Sequence, residues 1–249
     1  MSSPGDGHPD HGIQYEYFTL PDHPHTDPLT RAVARCYQLV YGNDDAWQEG
    51  MWCPACTSRQ QASGIRGEVK WSFRAAPAYC PTCGAAPVER WPIEQIIGDM
   101  ETELVRSGAV CVIARRPQSL EVIGGTWGFV ATPHDLEEHL HFVGLANMLG
   151  ARFPQVPVFA YQDEIFVLTE HQGRKHGRAL YEHRHRHFVR LPESPRWYAM
   201  RTKRSPPSKS YRWFTRPEWG YEGVAEYRDA DDRVVLAQRL DAVPVDAEP

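Results

Sequence analysis

The segment FVLTEHQGRKHGRALY, residues 166–181, passes from an apolar run through a polar, basic turn with two glycines into a helical pattern. A strand, a glycine-bearing turn and a helix in this order place free backbone N–H groups in front of an anion. The segment therefore predicts a phosphate-binding turn. Lys175 lies in the middle of it, and it fits there if its backbone needs no positive φ and its side chain leaves the turn.

Hydrophobic periodicity on both sides of this turn predicts an α/β chain with a mixed, mostly antiparallel sheet flanked by helices. Thr132, Pro133 and Asp135 form a helix start with a capping box. The predicted strands are 13–20, 109–117, 120–130, 156–170, 196–202 and a terminal hairpin over 224–240 that turns at 229–232; the predicted helices are 27–42, 92–108, 133–150, 177–189 and a short one before residue 220.

Composition limits the classes of function. The chain has 249 residues, 24% of them charged, and a net charge of −5, which argues against a molecule that binds nucleic acid through its overall charge. The N-terminal stretch 1–12 is polar and rich in Gly, Pro and Asp, and we expect it to be a disordered tail rather than a secretory signal. Because no apolar run is long enough for a membrane span, we expect a cytoplasmic protein that makes no membrane contact.

Four cysteines carry the strongest chemical signal. Two Cys-x-x-Cys pairs lie 24 residues apart within a stretch, 47–91, that has little helical periodicity: Cys53, Cys56, Cys80 and Cys83. Four thiolates arranged in this way predict a structural Zn²⁺ in a small zinc-ribbon insert, and metal binding would supply the folding energy of that insert. An iron–sulfur cluster and two unrelated thiol pairs remain alternatives. Cys36 and Cys111 lie in apolar patterns and are expected in the core.

The segment "DEIFVLTEHQGRKHGRAL" resembles the acyl-CoA-binding motif of the GNAT superfamily of N-acetyltransferases, Gln/Arg-x-x-Gly-x-Gly/Ala between a strand and a helix. Gln172 takes the first position and Gly177 the last, with Lys175 in place of the middle glycine; a register shifted by two residues also fits, but it loses the family's spacing from the strand. The order of elements over 13–249, apart from 47–91, resembles that fold as well. The resemblance implies acetyl-CoA, or another acyl-CoA, as co-substrate, bound by Val167, Leu168, Thr169, Gln172, Gly173, Arg174, Lys175, His176, Gly177 and Arg178.

The resemblance also implies direct attack of a primary amine on the thioester, with a general base on the strand before the turn. Glu164 is the favoured base and Asp163 the second candidate, because strand alternation should point one toward the cleft and the other away. The family's usual acid is a tyrosine near the Gly220–Tyr221 pair. The matching position here falls at Trp213 or Phe214, which leaves Tyr211 as the candidate.

A second hypothesis is a scaffold that has lost catalysis and binds nucleic acid or protein. The segment 201–216, "RTKRSPPSKSYRWFTR", interleaves cations with aromatic rings, a pattern that suits phosphates and stacked bases, although the same segment could instead line the acyl-CoA site. His183 and His187 lie four residues apart on a predicted helix, and we expect a half-buried helix face rather than a metal site there. The acceptor stays open among a small molecule, a peptide and a tRNA-linked amine.

Overall fold

The structure is a computed structural model that describes residues 12–63, 68–193, 195–219, 221–226 and 232–240. All but the last residue of the predicted N-terminal tail, and residues 229–231 of the predicted hairpin turn, lie outside the described residues. No helix in the described part of the chain has both the length and the apolar character needed to span a membrane.

The elements follow the predicted order, with differences at their ends. The strands are β1 Gln14–Tyr17, β2 Met51–Trp52, β3 Lys70–Trp71, β4 Val88–Glu89, β5 Val110–Arg115, β6 Val122–Ala131, β7 Phe159–Val167, β8 Trp197–Lys203, β9 Glu222–Glu226 and β10 Arg233–Arg239. The helices are α1 Pro28–Asn43, α2 Pro54–Ala62, α3 Ile93–Glu103, α4 Pro133–Leu140, α5 Leu145–Arg152, α6 His176–Phe188 and α7 Lys209–Phe214.

Seven strands form one sheet in the order β1-β5-β6-β7-β8-β10-β9. Every neighbouring pair is antiparallel except β7 and β8, which run parallel. Apolar residues of α1, α3, α4 and α5 pack on one face of this sheet, and those of α6 pack on the other. The α/β class and the mixed, mostly antiparallel sheet are therefore confirmed, and Cys36 and Cys111 lie in the core as expected.

The single helix predicted over 133–150 is wrong, because the structure has two helices there. The capping box of Thr132 and Asp135 opens α4 as predicted. The chain then leaves the helix at His141 in a left-handed conformation, with φ 50°. Gly144, with φ 90°, precedes α5. A four-residue break thus separates two amphipathic segments that the hydrophobic pattern alone joins, and it lets both pack on the sheet.

The cysteine-rich stretch between α1 and α3 forms a small sheet of its own, in the order β3-β2-β4. It also contains α2, which the sequence did not predict; the first cysteine pair begins this helix, with Cys53 at its N-cap and Pro54 in its first turn. Phe73 ties the insert to α1 by donating its N–H to the Gly42 carbonyl at 2.8 Å. The insert therefore contacts the larger sheet domain at the C-terminal end of α1.

Candidate active site and cysteine centre

The parallel pair β7 and β8 opens a cleft in the middle of the sheet. The two strands pair only over Ala160–Gln162 and Tyr198–Met200, although both continue beyond these residues. From Asp163 onward, β7 has no β8 partner. This parting of the strands exposes the backbone edge of β7 and makes room for a ligand between them.

A β-bulge lies in β7 where the pairing with β8 ends. Trp127 of β6 pairs with Glu164, and the next residue, Gly128, pairs with Gln162, so that Asp163 is the extra residue. Gly128 is required there, since a Cβ on it would lie 2.1 Å from the carbonyl oxygen of Tyr161. The bulge changes the direction in which every later side chain of β7 points.

Because of this bulge, Asp163 and Glu164 line the same cavity. Before the bulge, odd-numbered residues such as Tyr161 face the helical layer of α4 and α5; after it, even-numbered residues such as Phe166 face α1. Asp163 continues the first series and Glu164 begins the second, so both carboxyl groups turn to the same side. The expectation that strand alternation would separate them is wrong.

Glu164 is held by two tyrosines of α1. Tyr37 donates its hydroxyl hydrogen bond to Glu164 Oε1 at 3.2 Å, and Tyr41 donates to Oε2. Burial, together with the charge of Asp163, raises the pKa of the Glu164 carboxyl to about 8, although the Tyr41 hydrogen bond opposes this. A carboxyl with such a pKa can accept and release a proton near neutral pH, as a general base must.

Asp163 belongs to a second acidic group with Glu103 of α3 and His139 of α4. The ligand-type atoms of the three side chains lie within 4.8 Å of one another. Burial and the charge of Asp163 raise the pKa of Glu103 to about 10. Burial also acts to raise the pKa of Asp163, but His139 and Glu103 outweigh it, and this pKa lies below its usual value. Glu103 and Asp163 therefore titrate as a pair, in which the proton favours Glu103 and the negative charge favours Asp163.

Arg184 of α6 is fully buried and spans the bulge from the opposite face of the sheet. One of its terminal nitrogens, Nη1, donates to the Glu164 carbonyl at 2.9 Å and to the Trp127 carbonyl at 3.3 Å. The other, Nη2, donates to the side chain of Gln162. Sequence reasoning considered the histidines of "EHRHRH" and missed this arginine. Arg184 lies one turn from Leu180 on the apolar stripe of the helix, and this position could have indicated that the arginine is buried.

The cavity that contains the two acidic groups has a volume of about 480 Å³. Six carboxyl side chains and four arginines line it, together with several aromatic rings. The insert contributes a wall of this cavity: Trp47, Glu49, Gln61, Glu68, Arg90 and Trp91. Arg90 is fixed there by two hydrogen bonds to Glu68, at 2.9 and 3.0 Å, and by stacking over Trp91 at 4.1 Å.

A second cavity, of about 490 Å³, lies against the predicted phosphate turn. The N-terminus of α6 opens onto it, and no side chain caps this helix end. Cationic side chains from the turn and from the segment 201–216 line the cavity: Lys175, Arg178, Lys209 and Arg216. A free helix N-terminus surrounded by cations has the chemistry of a site for a phosphorylated ligand.

Most residues predicted for the cofactor lie at this second cavity, and some do not. Val167, Gln172, Gly173, Lys175, His176, Gly177 and Arg178 line it. Leu168, Thr169 and Arg174 are not among its described lining residues. Gln172 braces the turn, because its side-chain amide donates to the Val167 carbonyl at 2.8 Å. His171 and Trp213 also line the cavity and were not predicted.

Lys175 does adopt a positive φ, of 66°, at the N-cap of α6, contrary to the condition set from the sequence. For a residue with a Cβ, the left-handed conformation costs roughly 1–2 kcal/mol. The lysine side chain is exposed and borders the cavity, so its charge can reach a ligand there. The chain thus keeps a strained lysine where a glycine would fit more easily.

Tyr211 lines neither of these two cavities in the described chain; its partly buried ring packs on the core beneath α6. This position gives its predicted role as general acid no support. The neighbouring cationic and aromatic residues Lys209, Trp213 and Arg216 turn toward the second cavity instead. The basic aromatic segment is thus partly used inside the molecule, and nothing in the structure supports nucleic-acid binding. His183 lies half-buried against Tyr15, with ring centroids 5.5 Å apart.

The four cysteines of the two pairs converge, as the spacing predicted. All four sulfur atoms lie within 4.8 Å of one another, with 3.5 Å between those of Cys53 and Cys83 and 3.7 Å between those of Cys56 and Cys80. Gly84 closes the second pair with φ 74°. Burial acts to raise the pKa of Cys80, but the backbone N–H groups of Thr82 and Cys83 outweigh it and lower this pKa to about 6.

Comparison with solved structures shows which known folds this chain resembles. The fold is similar to that of a mosquito arylalkylamine N-acetyltransferase, like 5b, with a TM-score of 0.52 and 10% identity over 91% of this chain and 99% of the other. It is also similar to that of an agmatine N-acetyltransferase in its apo form, with a TM-score of 0.50 and 11% identity over 92% and 99% of the two chains. The chain has the GNAT fold.

At identities this low, the similarity establishes the fold and leaves the activity to be argued from the site. The sequence itself matches no protein-family model and no curated protein. In this fold, β7 is the strand that leads into the predicted phosphate turn, and residues of β7 beyond its pairing with β8 line both cavities.

Proposed function

We propose that the protein is an acyl-CoA-dependent N-acyltransferase that moves an acetyl or other acyl group to a primary amine within a ternary complex. The observation that carries this proposal is the meeting of two cavities of opposite character in the cleft. Four residues line both cavities and mark the junction: Tyr41, Trp47, Ile165 and Ser210. One side is basic and suits phosphates; the other carries six carboxyl groups among four arginines, and its Asp163 and Glu164 can accept hydrogen bonds from an ammonium group.

In this proposal the acyl-CoA occupies the cavity beside α6. Its pyrophosphate lies at the helix N-terminus, where backbone N–H groups and the side chains of Lys175 and Arg178 supply positive charge. The pantetheine arm lies along the unpaired edge of β7. The thioester then reaches the junction near Ile165, and the acceptor amine arrives from the acidic cavity.

Glu164 serves as the general base. It removes a proton from the acceptor ammonium, the freed nitrogen attacks the thioester carbonyl carbon, and the C–S bond breaks as the tetrahedral intermediate collapses. The attacking nitrogen then loses a second proton, which is delivered to the departing CoA sulfur, while the first proton leaves Glu164 for solvent. Tyr41, whose hydroxyl donates to Glu164 and whose ring lines both cavities, passes the second proton to the sulfur and so takes the general-acid role for which Tyr211 was the candidate. The carboxylate of Asp163, with its lowered pKa, suits cation binding better than proton abstraction.

We further propose that Cys53, Cys56, Cys80 and Cys83 hold one Zn²⁺ with a structural role. The sulfur separations of 3.5 and 3.7 Å fit a tetrahedral site, since Zn–S bonds of about 2.3 Å place two sulfurs about 3.8 Å apart. An iron–sulfur cluster, with several atoms inside the ligand set, would hold the sulfurs farther apart. Four thiolates leave no open coordination position, so this zinc takes no part in acyl transfer.

Titration calorimetry with acetyl-CoA tests the proposed activity first. We expect binding that weakens as salt rises, because phosphates contact cationic side chains. An acceptor screen that follows free thiol then measures transfer. Absence of acetyl-CoA binding at millimolar ligand would contradict the proposal, as would binding without thiol release for any amine. Metal analysis of the purified protein tests the zinc site separately, with one zinc per chain expected.

A further inference from the structure

One buried oxygen atom in the acidic cavity has no hydrogen-bond donor. Asp163 Oδ2 accepts no hydrogen bond from the described residues, although the side chain is only 5% exposed. It lies 3.3 Å from His139 Nε2, an ion-pair contact outside hydrogen-bond geometry, and the charge of Arg201 also acts on this carboxyl group. A buried carboxylate oxygen without a donor is destabilising, so such an atom facing a cavity points to a ligand that donates.

The residues around this atom form a built site. Glu103, His139 and Asp163 come from three different elements, and their ligand-type atoms converge within 4.8 Å. Trp127 Nε1 donates to Glu103 Oε2 at 2.7 Å and fixes that carboxyl group. The His139 ring packs edge-on against Phe129, with centroids 5.2 Å apart. These contacts hold the three groups in place before any ligand arrives.

The site is distinct in place from the proposed point of acyl transfer. Glu164 and the three residues of the site all line the acidic cavity, but Glu164 accepts a hydrogen bond from Tyr41, which lines both cavities, whereas the described hydrogen bonds join none of Glu103, His139 and Asp163 to a residue of the junction. Glu103 and His139 belong to α3 and α4, while the tyrosines that hold Glu164 belong to α1. The acidic cavity therefore offers Glu164 next to the proposed thioester position, and a second acidic group, Glu103, His139 and Asp163, that does not contact the junction residue Tyr41.

We propose that the acceptor is an amine carrying a second cationic group, an ammonium or a guanidinium, which binds to Glu103, His139 and Asp163. The reactive amine of the same molecule then lies beside Glu164. The second group donates to Asp163 Oδ2, and its charge balances that of the carboxylate. This inference rests on the proposed acyltransferase function and adds the class of acceptor.

Acetyl transfer to diaminobutane and to butylamine tests the inference, because the two amines have the same carbon chain and differ in the second charge. We expect kcat/KM for the diamine to exceed that for the monoamine by about tenfold or more, since a buried, charge-assisted hydrogen bond has at least this effect. In Asp163→Asn this preference should fall to about threefold or less, mainly through a higher KM for the diamine, whereas Glu103→Gln, which replaces a protonated carboxyl group by another neutral group, should reduce it less.

Glu101→Gln is the matched control, since Glu101 lies on the same helix with its side chain 47% exposed and is not among the lining residues of the cavity. It should keep the full preference. Equal use of both amines by the wild-type enzyme overturns the inference while leaving acyl transfer intact; no transfer to either amine, or to any other, contradicts the proposed function itself. Tight binding of Mn²⁺ or Zn²⁺ that is lost in Asp163→Asn, in protein whose cysteine site is filled, would assign the cluster to a metal and also overturn the inference.

Discussion

Glu164 acquires its properties from residues far away in the chain. Its carboxyl group is buried, accepts hydrogen bonds from Tyr37 and Tyr41, and lies near the negative charge of Asp163. Burial and like charge both disfavour the ionised form, which is why the pKa rises to about 8. Below that pH the residue carries its proton and cannot act as a base.

Carbon NMR of the ligand-free protein with labelled glutamate should therefore show a side-chain carboxyl resonance that titrates near pH 8. This signal should be missing in Glu164→Gln, and the variant should lose roughly 100- to 10,000-fold in kcat. Since the base must be ionised, activity of the wild-type enzyme should fall as pH drops through this range. A glutamine variant with wild-type kcat would contradict the assignment of Glu164 as the base.

Lys175 combines backbone strain with useful charge. Replacing it by glycine should stabilise the fold by about 1 kcal/mol relative to Lys175→Gln, because only glycine adopts φ 66° without cost. Both variants should weaken acetyl-CoA binding by about two- to fivefold, the range typical of an exposed ionic contact. Urea unfolding measures the first effect and calorimetry the second.

Lys175→Arg is the control for this pair, since it keeps both the charge and the strain. Its acetyl-CoA affinity should match that of the wild-type protein. If the glycine and glutamine variants unfold at the same urea concentration, the positive φ at residue 175 has no measurable free-energy cost, and the predicted stabilisation is wrong.

At the scale of elements, the bulge in β7 and the helix behind it form one unit. The bulge brings Asp163 and Glu164 to one side of the sheet, and Arg184 of α6 donates to the backbone carbonyl of Glu164 after it and to the side chain of Gln162 before it. Arg184 touches no reacting atom in the proposed mechanism and acts as a positioning residue. Its guanidinium group is shaped to bind several oxygens at once, which a lysine cannot do.

Arg184→Met should reduce kcat by about tenfold to a hundredfold, because a shift of about 1 Å in a reacting group has this effect. The KM for acetyl-CoA should change little, since Arg184 lines the acidic cavity and not the other one. Arg186→Met, an exposed change of the same kind on the same helix, is the control and should have wild-type kinetics. Arg184→Lys keeps the positive charge, so the stability of the fold should be restored more fully than kcat. Equal losses in kcat and in acetyl-CoA binding would point to general unfolding instead.

At the scale of the whole molecule, the cysteine insert and the sheet domain build the acidic cavity together. Trp47, Glu49 and Arg90 of the insert stretch face the carboxyl groups of the sheet domain across it. The basic cavity depends on the insert much less, since Trp47 is its only described lining residue from 47–91. Folding of the insert is thus coupled to one half of the site.

Loss of the proposed zinc should therefore impair use of the acceptor while leaving the binding of acetyl-CoA nearly unchanged. In Cys56→Ser or Cys80→Ser, the KM for the acceptor should rise by about tenfold or more, as the wall of the cavity loses its folding energy, while the Kd for acetyl-CoA stays within about twofold. Metal analysis and substrate titrations measure these effects. Cys36→Ala, which alters a core cysteine, should keep its zinc and its acceptor KM. A zinc-free variant with unchanged acceptor kinetics would show that the insert plays no part in the acceptor site.

The sequence predicted the order of elements well because hydrophobic periodicity is a local property. In the helix predicted over 92–108, for example, Ile96, Ile97 and Met100 recur at helical spacing, and all three are buried in α3. The same periodicity gave a wrong result at residues 141–144. The apolar spacing continues there as in one helix, but two residues in the left-handed conformation, His141 and Gly144, end α4 and begin α5. The bulge at Asp163 was also missed, because one extra residue in a strand leaves no mark on composition.

By itself, the sequence determined the α/β class, the convergence of the four cysteines and the turn with its cationic helix start, since each depends on residues close together in the chain. Tertiary structure alone decided that Asp163 and Glu164 share a cavity, that Tyr41 and not Tyr211 lines both cavities, and that the insert forms a wall of the acidic cavity. These features depend on contacts between residues as far apart as Tyr41 and Glu164, whose meeting is set by how helices and strands pack.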